Sequence, residues 1–413
     1  MQLRNLQILC LINCASLSAR VGLAQVPTTE LSGTTGGGAY FKILVPEPWN
    51  GDLVIFNHGL DVSFHPDPGL GPLVALQLAE GFAVAASDFQ QVGWALFKTK
   101  NDLQHLYNTF VDNFGAPTHV WLNGASLGGL VMAQAIEEAN IGNVVGALSL
   151  CGAGAGSRNW DIALDLRLIY DAVCANTPTA AIPGGAEGLP AKSTISPDEL
   201  GFRINECTGV LLPSASRTTQ QSENLQQILS LTTLPESFLL DDMFFATFVM
   251  RDLVHDKGKL HGKIGTRNDT VTYDDEAIDA TIERVSGNPG AENRLEKHFT
   301  PTGNVGTVKI ISMHTSQDGL VVVENESEYA AVVPPSQLTT AIVAEAAPSH
   351  CGFNEGEVVA SWESLRAWVA GSPQPTAASI QDVCEAFVPP LGGPCRIDPG
   401  FVIGNMDSRV PAR

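Results

Sequence analysis

Ser126 sits between two glycines in "WLNGASLGGLVM" (121–132), at the end of one apolar run and the start of another. A serine hydroxyl becomes a useful nucleophile when a base takes its proton and a carboxylate orients that base. Gly-x-Ser-x-Gly arises readily by chance, so the surroundings must decide. The run 119–124 reads as a strand and 127–139 as a helix, and that strand-turn-helix setting is what a nucleophile elbow requires. Gly124 and Gly128 fit the same reading, because the tight turn presses the helix backbone against the strand.

Nine histidines compete as the base. His58 ends an early strand, His65 and His105 fall in early loop or helix, and His119 starts a strand. His255, His261 and His298 lie in a long helical stretch, and His314 ends a strand ahead of any acid. His350, in "APSHCGFNEGE", lies in a loop after the last strand run and before the last helix. A serine after one parallel strand and a base after the last come to the same edge of the sheet. His350 is therefore the expected base.

The acid should come from a loop between them, and Asp318 in "HTSQDGLV" follows the strand run 308–314. Asp161 falls too far into the helical stretch. Two backbone N–H groups should receive a developing oxyanion: that of Leu127, after the nucleophile, and one from "NHGLD", given by Gly59 or, preferred, Leu60. His58 is expected to hold that loop in shape.

The elements that would position these groups follow a regular rhythm. Strand runs at 40–46, 52–58, 82–87, 119–124, 144–150, 308–314 and 338–345 alternate with helical patterns at 71–80, 101–113, 127–139, 324–331 and 356–370. This is the pattern of an α/β fold with a mainly parallel sheet flanked by helices. From about Gly152 to Asn304 the rhythm breaks into helical segments such as "PESFLLDDMFFATFVMRDLV" around a Pro/Gly-rich loop. The tail after Gly371 is rich in Pro and Gly and is expected to wrap the surface.

With 44% hydrophobic and 16% charged residues the chain is globular. Residues 1–24, with Arg4, the apolar run "LQILCLINCASL" and the ending "GLA", have the form of a secretory signal peptide cleaved near Ala24. Removing them takes away Arg4 and Arg20 and no acid, moving the formal charge from −21 to −23. Such a surface argues against nucleic-acid and anionic-membrane partners. Six cysteines then remain (151, 174, 207, 351, 384, 395), an even number that favours disulfides in an exported chain. Cys384 with Cys395 and Cys174 with Cys207 are the expected pairs among fifteen possible connectivities. The acidic run "YDDEAID" (273–279) lacks calcium-loop spacing, and no metal or cofactor is expected.

From "VPEPWNGDLVIFNHG" through "NGASLGG" and "HTSQDGLV" to "HCGFNEGE", over roughly 39–155 and 305–370, the chain resembles the α/β-hydrolase-fold serine hydrolases, in particular secreted bacterial esterases and polymer or oligomer hydrolases. The resemblance implies a Ser126–Asp318–His350 triad working through an acyl-enzyme, and a lid formed by the insertion after the sixth strand. Its domains would be a hydrolase core (25–155 and 301–371), a helical lid (156–300) and a tail (372–413). Tannase and feruloyl esterase relatives also carry a cysteine after the catalytic histidine, as Cys351 follows His350, but pair it with one just before the serine, where this chain has Ala125.

The substrate implied is a small-molecule or oligomeric ester, with oligomeric state left open. Within the lid, Trp160, Phe244 and Phe245 are candidate substrate-binding residues, although helix core is the commoner use of such residues. A peptidase of the same fold is the second expectation; it would need acids such as Glu236, Asp241 or Asp242 to grip a free amino terminus. A non-catalytic binding protein on the same scaffold is the third.

Overall fold

The computed structural model describes residues 26–391 and 393–410; the expected signal peptide lies outside them. The chain forms two compact units, one of Ser157–His298 with Asn405 onward, the other of the preceding residues and Phe299–Gly404.

The second unit is built on an eight-stranded sheet: β1 (Thr28–Thr34), β2 (Tyr40–Pro46), β3 (Asp52–Asn57), β4 (Ala83–Ser87), β5 (His119–Ala125), β6 (Val144–Leu150), β7 (Lys309–Thr315) and β8 (Leu338–Val343). Their order is β1-β2-β4-β3-β5-β6-β7-β8. β2 runs antiparallel to both β1 and β4, and the remaining pairs are parallel. β3 and β5 are buried almost end to end, as strands covered on both faces must be, so they read as apolar runs rather than alternating ones. β2 alternates, in keeping with its place near the sheet edge.

Five helices of this unit follow the sequence pattern closely: α1 (Val74–Ala79), α2 (Thr99–Phe114), α3 (Leu127–Glu138) and, after the insertion, Asn325–Val332 and Glu355–Val369. Phe82, Trp121 and Trp362 meet edge-on with ring centroids 5.3–6.1 Å apart in the core. Such contacts add about 0.5–1.5 kcal/mol each beyond the area they bury.

Two segments depart from the sequence reading. "TTELSGT", which no strand run of the sequence covers, forms the edge strand β1; its residues are almost all exposed, so it carries no apolar alternation. The tail does not merely wrap the surface. It forms a helix, Ala377–Leu391, whose Ile380 and Cys384 are fully buried in the sheet unit's core, and Ile397 bridges to Val343 of β8. Prolines late in that helix hide a four-residue spacing that the sequence does carry.

The other unit is helical, entering after β6 and returning before β7. Arg167 is its organiser: fully buried, it bonds Asp171 at 3.1 Å, the Ile182 carbonyl at 2.7 Å and the Gly188 carbonyl, and so folds the Pro/Gly-rich loop onto the helix Asn159–Val173. The Cys174–Cys207 disulfide joins that helix to Pro197–Thr208. The other expected pair, Cys384–Cys395, is also bonded, as is a third, Cys151–Cys351.

Candidate active site

Ser126 follows β5 and precedes α3, with φ 57° and ψ −126°. A non-glycine residue at positive φ is strained, and such strain persists only where the surroundings fix it. The fixing contacts are glycine contacts. A Cβ on Gly124 would strike the Gly128 carbonyl, and one on Gly128 would strike the Asn57 and His58 carbonyls. The Ser126 N–H bonds the Leu150 carbonyl at 2.9 Å, anchoring the turn to β6.

The His-Gly loop after β3 comes against this turn. A Cβ on Gly59 would stand 3.1 Å from Ser126 Cβ and 3.5 Å from its Oγ. His58 bonds its own loop, its Nδ1 donating to the Gly59 carbonyl at 2.7 Å, and stacks on Phe89 at 4.4 Å. A shallow cleft lined by His58, Gly59, Asp61, Asp88, Phe89 and Leu127 opens there. Leu127 is the first residue of α3, so its N–H has no intrahelical acceptor and is available to an anion.

Asp318 and His350 meet directly. His350 Nδ1 donates to Asp318 Oδ2 at 2.7 Å, while Asp318 Oδ1 accepts the N–H groups of Leu320 and Val321 at 3.0 and 3.1 Å. Burial alone would raise the Asp318 pKa, but the charges and hydrogen bonds of His350 and His314 hold it below the ordinary carboxylate value. The loop carrying His350 is tied to β7 by Thr315 Oγ1 donating to the Ser349 carbonyl at 2.9 Å.

Serine and histidine are linked through a disulfide whose pairing the sequence reading did not assign. Cys351, next to His350, is disulfide-bonded to Cys151, the residue after Leu150, which accepts the Ser126 N–H. Both half-cystines have positive φ, 47° and 53°. The bond therefore braces the base loop against the strand that anchors the elbow. The pairing differs from that of the tannase relatives, with Cys151 instead of a cysteine before the serine. Cys parity is the signal that could have found it. Cys151, Cys351 and His350 bring their donor atoms within 4.8 Å of one another, but as disulfide halves the sulfurs offer no thiolate to a metal. Among the described residues Ser126 Oγ makes no hydrogen bond to His350; such bonds often tighten only with substrate in place.

His314, set aside in the sequence as lacking an acid, lies fully buried between Glu326 and Asp318. Of the three aromatic candidates, Trp160 and Phe244 are buried, and Phe244 packs on Phe248 at 5.0 Å. Phe245 is half-buried, at the start of a π-helical stretch, Phe245–Val249. Asp161 accepts the Arg267 N–H within that unit.

A mainly parallel eight-stranded sheet, its second strand antiparallel, with a strained serine between β5 and α3 and with Asp318 and His350 in the loops after β7 and β8, decides the architecture. The chain has the α/β-hydrolase fold.

No family model matches the sequence. One curated relative, an o-phthalyl amidase of Xanthobacter agilis, is 31% identical over 128 residues, which span 30% of this chain and 27% of the amidase. Among solved structures, an esterase of Pyrococcus furiosus aligns over 85% of this chain and 92% of its own at 12% identity and TM-score 0.41. A puromycin hydrolase aligns over 85% of this chain and 41% of its own at 12% identity and TM-score 0.44. Candida antarctica lipase A in its closed state aligns over 90% of both chains at 11% identity and TM-score 0.42. The fold assignment rests on this chain's own sheet and elbow.

Proposed function

We propose that this chain is a secreted serine hydrolase that cleaves carboxylic esters through an acyl-enzyme on Ser126. The observation that carries the reading is the 2.7 Å bond from His350 Nδ1 to a buried, doubly N–H-bonded Asp318. That bond leaves Nε2 unprotonated and able to take the Ser126 proton. Ser126 Oγ attacks the carbonyl, and the oxyanion rests on the N–H groups of Leu127 and Leu60. Protonated His350 gives its proton to the leaving group, and water repeats the cycle on the acyl-enzyme.

Export is supported by the character of residues 1–24 and by three disulfides, which persist in oxidising compartments. No helix among the described residues is long and apolar enough to cross a membrane. Phe245 is the aromatic candidate that keeps exposed surface, and π-helical turns recur at functional sites. Its candidacy as a substrate-binding residue is tested by Phe245→Ala on the substrate panel below.

Amide hydrolysis is the second reading, and the amidase relative favours it. An aminopeptidase-like grip through Glu236 is disfavoured, since Glu236 is ion-paired with Arg217. The test is a panel of nitrophenyl esters and matched anilides given to the mature protein and to Ser126→Ala. Ester turnover that Ser126→Ala abolishes supports the proposal; anilide turnover of equal or greater kcat/KM moves it to an amidase.

A further inference from the structure

His314 is the next-to-last residue of β7, its side chain wholly buried, four residues before Asp318. Its Nε2 lies 2.6 Å from the Val321 carbonyl and 3.6 Å from Asp318 Oδ2, and its Nδ1 lies 3.1 Å from Glu326 Oε1. A carbonyl only accepts, so Nε2 must carry a proton. Glu326 Oε1 already accepts the Ser312 hydroxyl at 2.7 Å, which leaves the remaining shared proton between Nδ1 and a carboxylate that is itself buried. With the proton on Nδ1 the ring is a cation. Its face toward Asp318 is then positive, and the compensating anion sits on the far side of the ring.

We propose that His314 and Glu326 form a buried imidazolium–carboxylate pair behind Asp318 that holds it ionised and fixed for His350, which makes His314 a positioning residue of the triad. The proposal rests on the hydrolase reading for its consequence and on geometry for its existence. Burial opposes a charged His314, but the carboxylates of Asp318 and Glu326 outweigh it and push its pKa up to about 10. The charged or titratable groups around the cluster are few. Glu326 faces it from the helix Asn325–Val332, with Tyr329 and Glu137 beyond; Asp318 faces it from the loop, with His350 and Glu345 beyond.

A cation behind Asp318 disfavours a second cation on His350, so its removal should raise the pH at which His350 loses its proton. The experiment is an NMR titration of histidine-labelled full-length protein, together with kcat/KM against pH, for the parent, His314→Gln, Glu326→Gln and the double variant. In the parent, His314 should show two N–H protons throughout the neutral range. Glu326→Gln, which does not touch Asp318, takes the carboxylate from His314 Nδ1, so His314 falls to its neutral Nε2–H form; with that cation gone the His350 midpoint should shift upward by about 0.5–1 pH unit. On the acid limb kcat/KM should fall about 3–10-fold, the same shift expressed as the fraction of neutral imidazole.

A merely structural role would lower the yield of folded protein and leave the midpoint in place. His314→Gln leaves Glu326 buried without its partner; should it not fold, the double variant, neutral on both sides, gives the same reading. A singly protonated His314 in the parent, or an unmoved His350 midpoint in folded Glu326→Gln, would overturn the proposal. The NMR midpoint needs no turnover. A shifted midpoint in a protein with no hydrolytic activity would therefore uphold the pair and reject the hydrolase reading.

Discussion

Asp318→Asn removes one charge and almost no volume, and the structure says which way the new amide must face. Asp318 Oδ1 accepts two backbone N–H groups, from Leu320 and Val321, at 3.0 and 3.1 Å. Turning an NH2 toward them would leave buried donors facing a donor, at about 1–3 kcal/mol for each unsatisfied group. The amide oxygen therefore stays at the Oδ1 position and the NH2 takes the Oδ2 position, 2.7 Å from His350 Nδ1. An NH2 there can only donate, so Nδ1 must accept and the imidazole proton moves to Nε2, the atom that should receive the Ser126 proton. A wrong tautomer of this kind costs a serine hydrolase about 10⁴-fold in kcat, or roughly 5.4 kcal/mol of barrier. The assay is kcat on a nitrophenyl ester and the rate of fluorophosphonate adduct formation, with near-UV circular dichroism to show the fold retained. A folded Asp318→Asn protein within tenfold of the parent would refute Asp318 as the orienting acid.

Replacing Cys151 and Cys351 together by alanine should lower stability by about 2–4 kcal/mol and reduce kcat, because the bond joins the His350 loop to the strand that anchors Ser126; calorimetry and ester turnover check both, and an unchanged kcat would contradict the bracing role. Gly128→Ala should cost about 1–3 kcal/mol or more, since its methyl meets the Asn57 and His58 carbonyls, and a soluble variant with parental melting temperature would show that the elbow is looser than described. Glu80, accepting from Trp362 at 3.2 Å and bonded to Arg366, has its pKa raised by burial to about 7. A carboxyl raised above its unfolded value contributes stability fully below about pH 4.5, and that contribution is lost as pH rises through about 7. Glu80→Gln should therefore flatten the decline in denaturant midpoint between those values, and an unaltered slope would count against the shift.

The placement of the candidate residues was readable because such chemistry needs fixed residue types at fixed places in the fold. Ser126 between glycines, Asp318 and His350 each follow a strand of the same parallel sheet, and buried parallel strands announce themselves as apolar runs. What escaped the sequence depends on contacts far apart in the chain. Cys151 and Cys351 are separated by 200 residues, so spacing carried no hint of their bond. His314 looked like a lone histidine at a strand end because its partner Glu326 comes from the next helix and its role faces Asp318 from behind. β1 was hidden by its exposure, which leaves it without apolar alternation, and the tail helix by prolines that mask its four-residue apolar spacing.

The most direct test is the intact mass of the mature protein after exposure to a fluorophosphonate, with peptide mapping. One adduct, on the peptide carrying Ser126 and absent from Ser126→Ala, is the expected result. Folded protein that gains no mass, or gains it at another residue, would contradict Ser126 as an activated nucleophile.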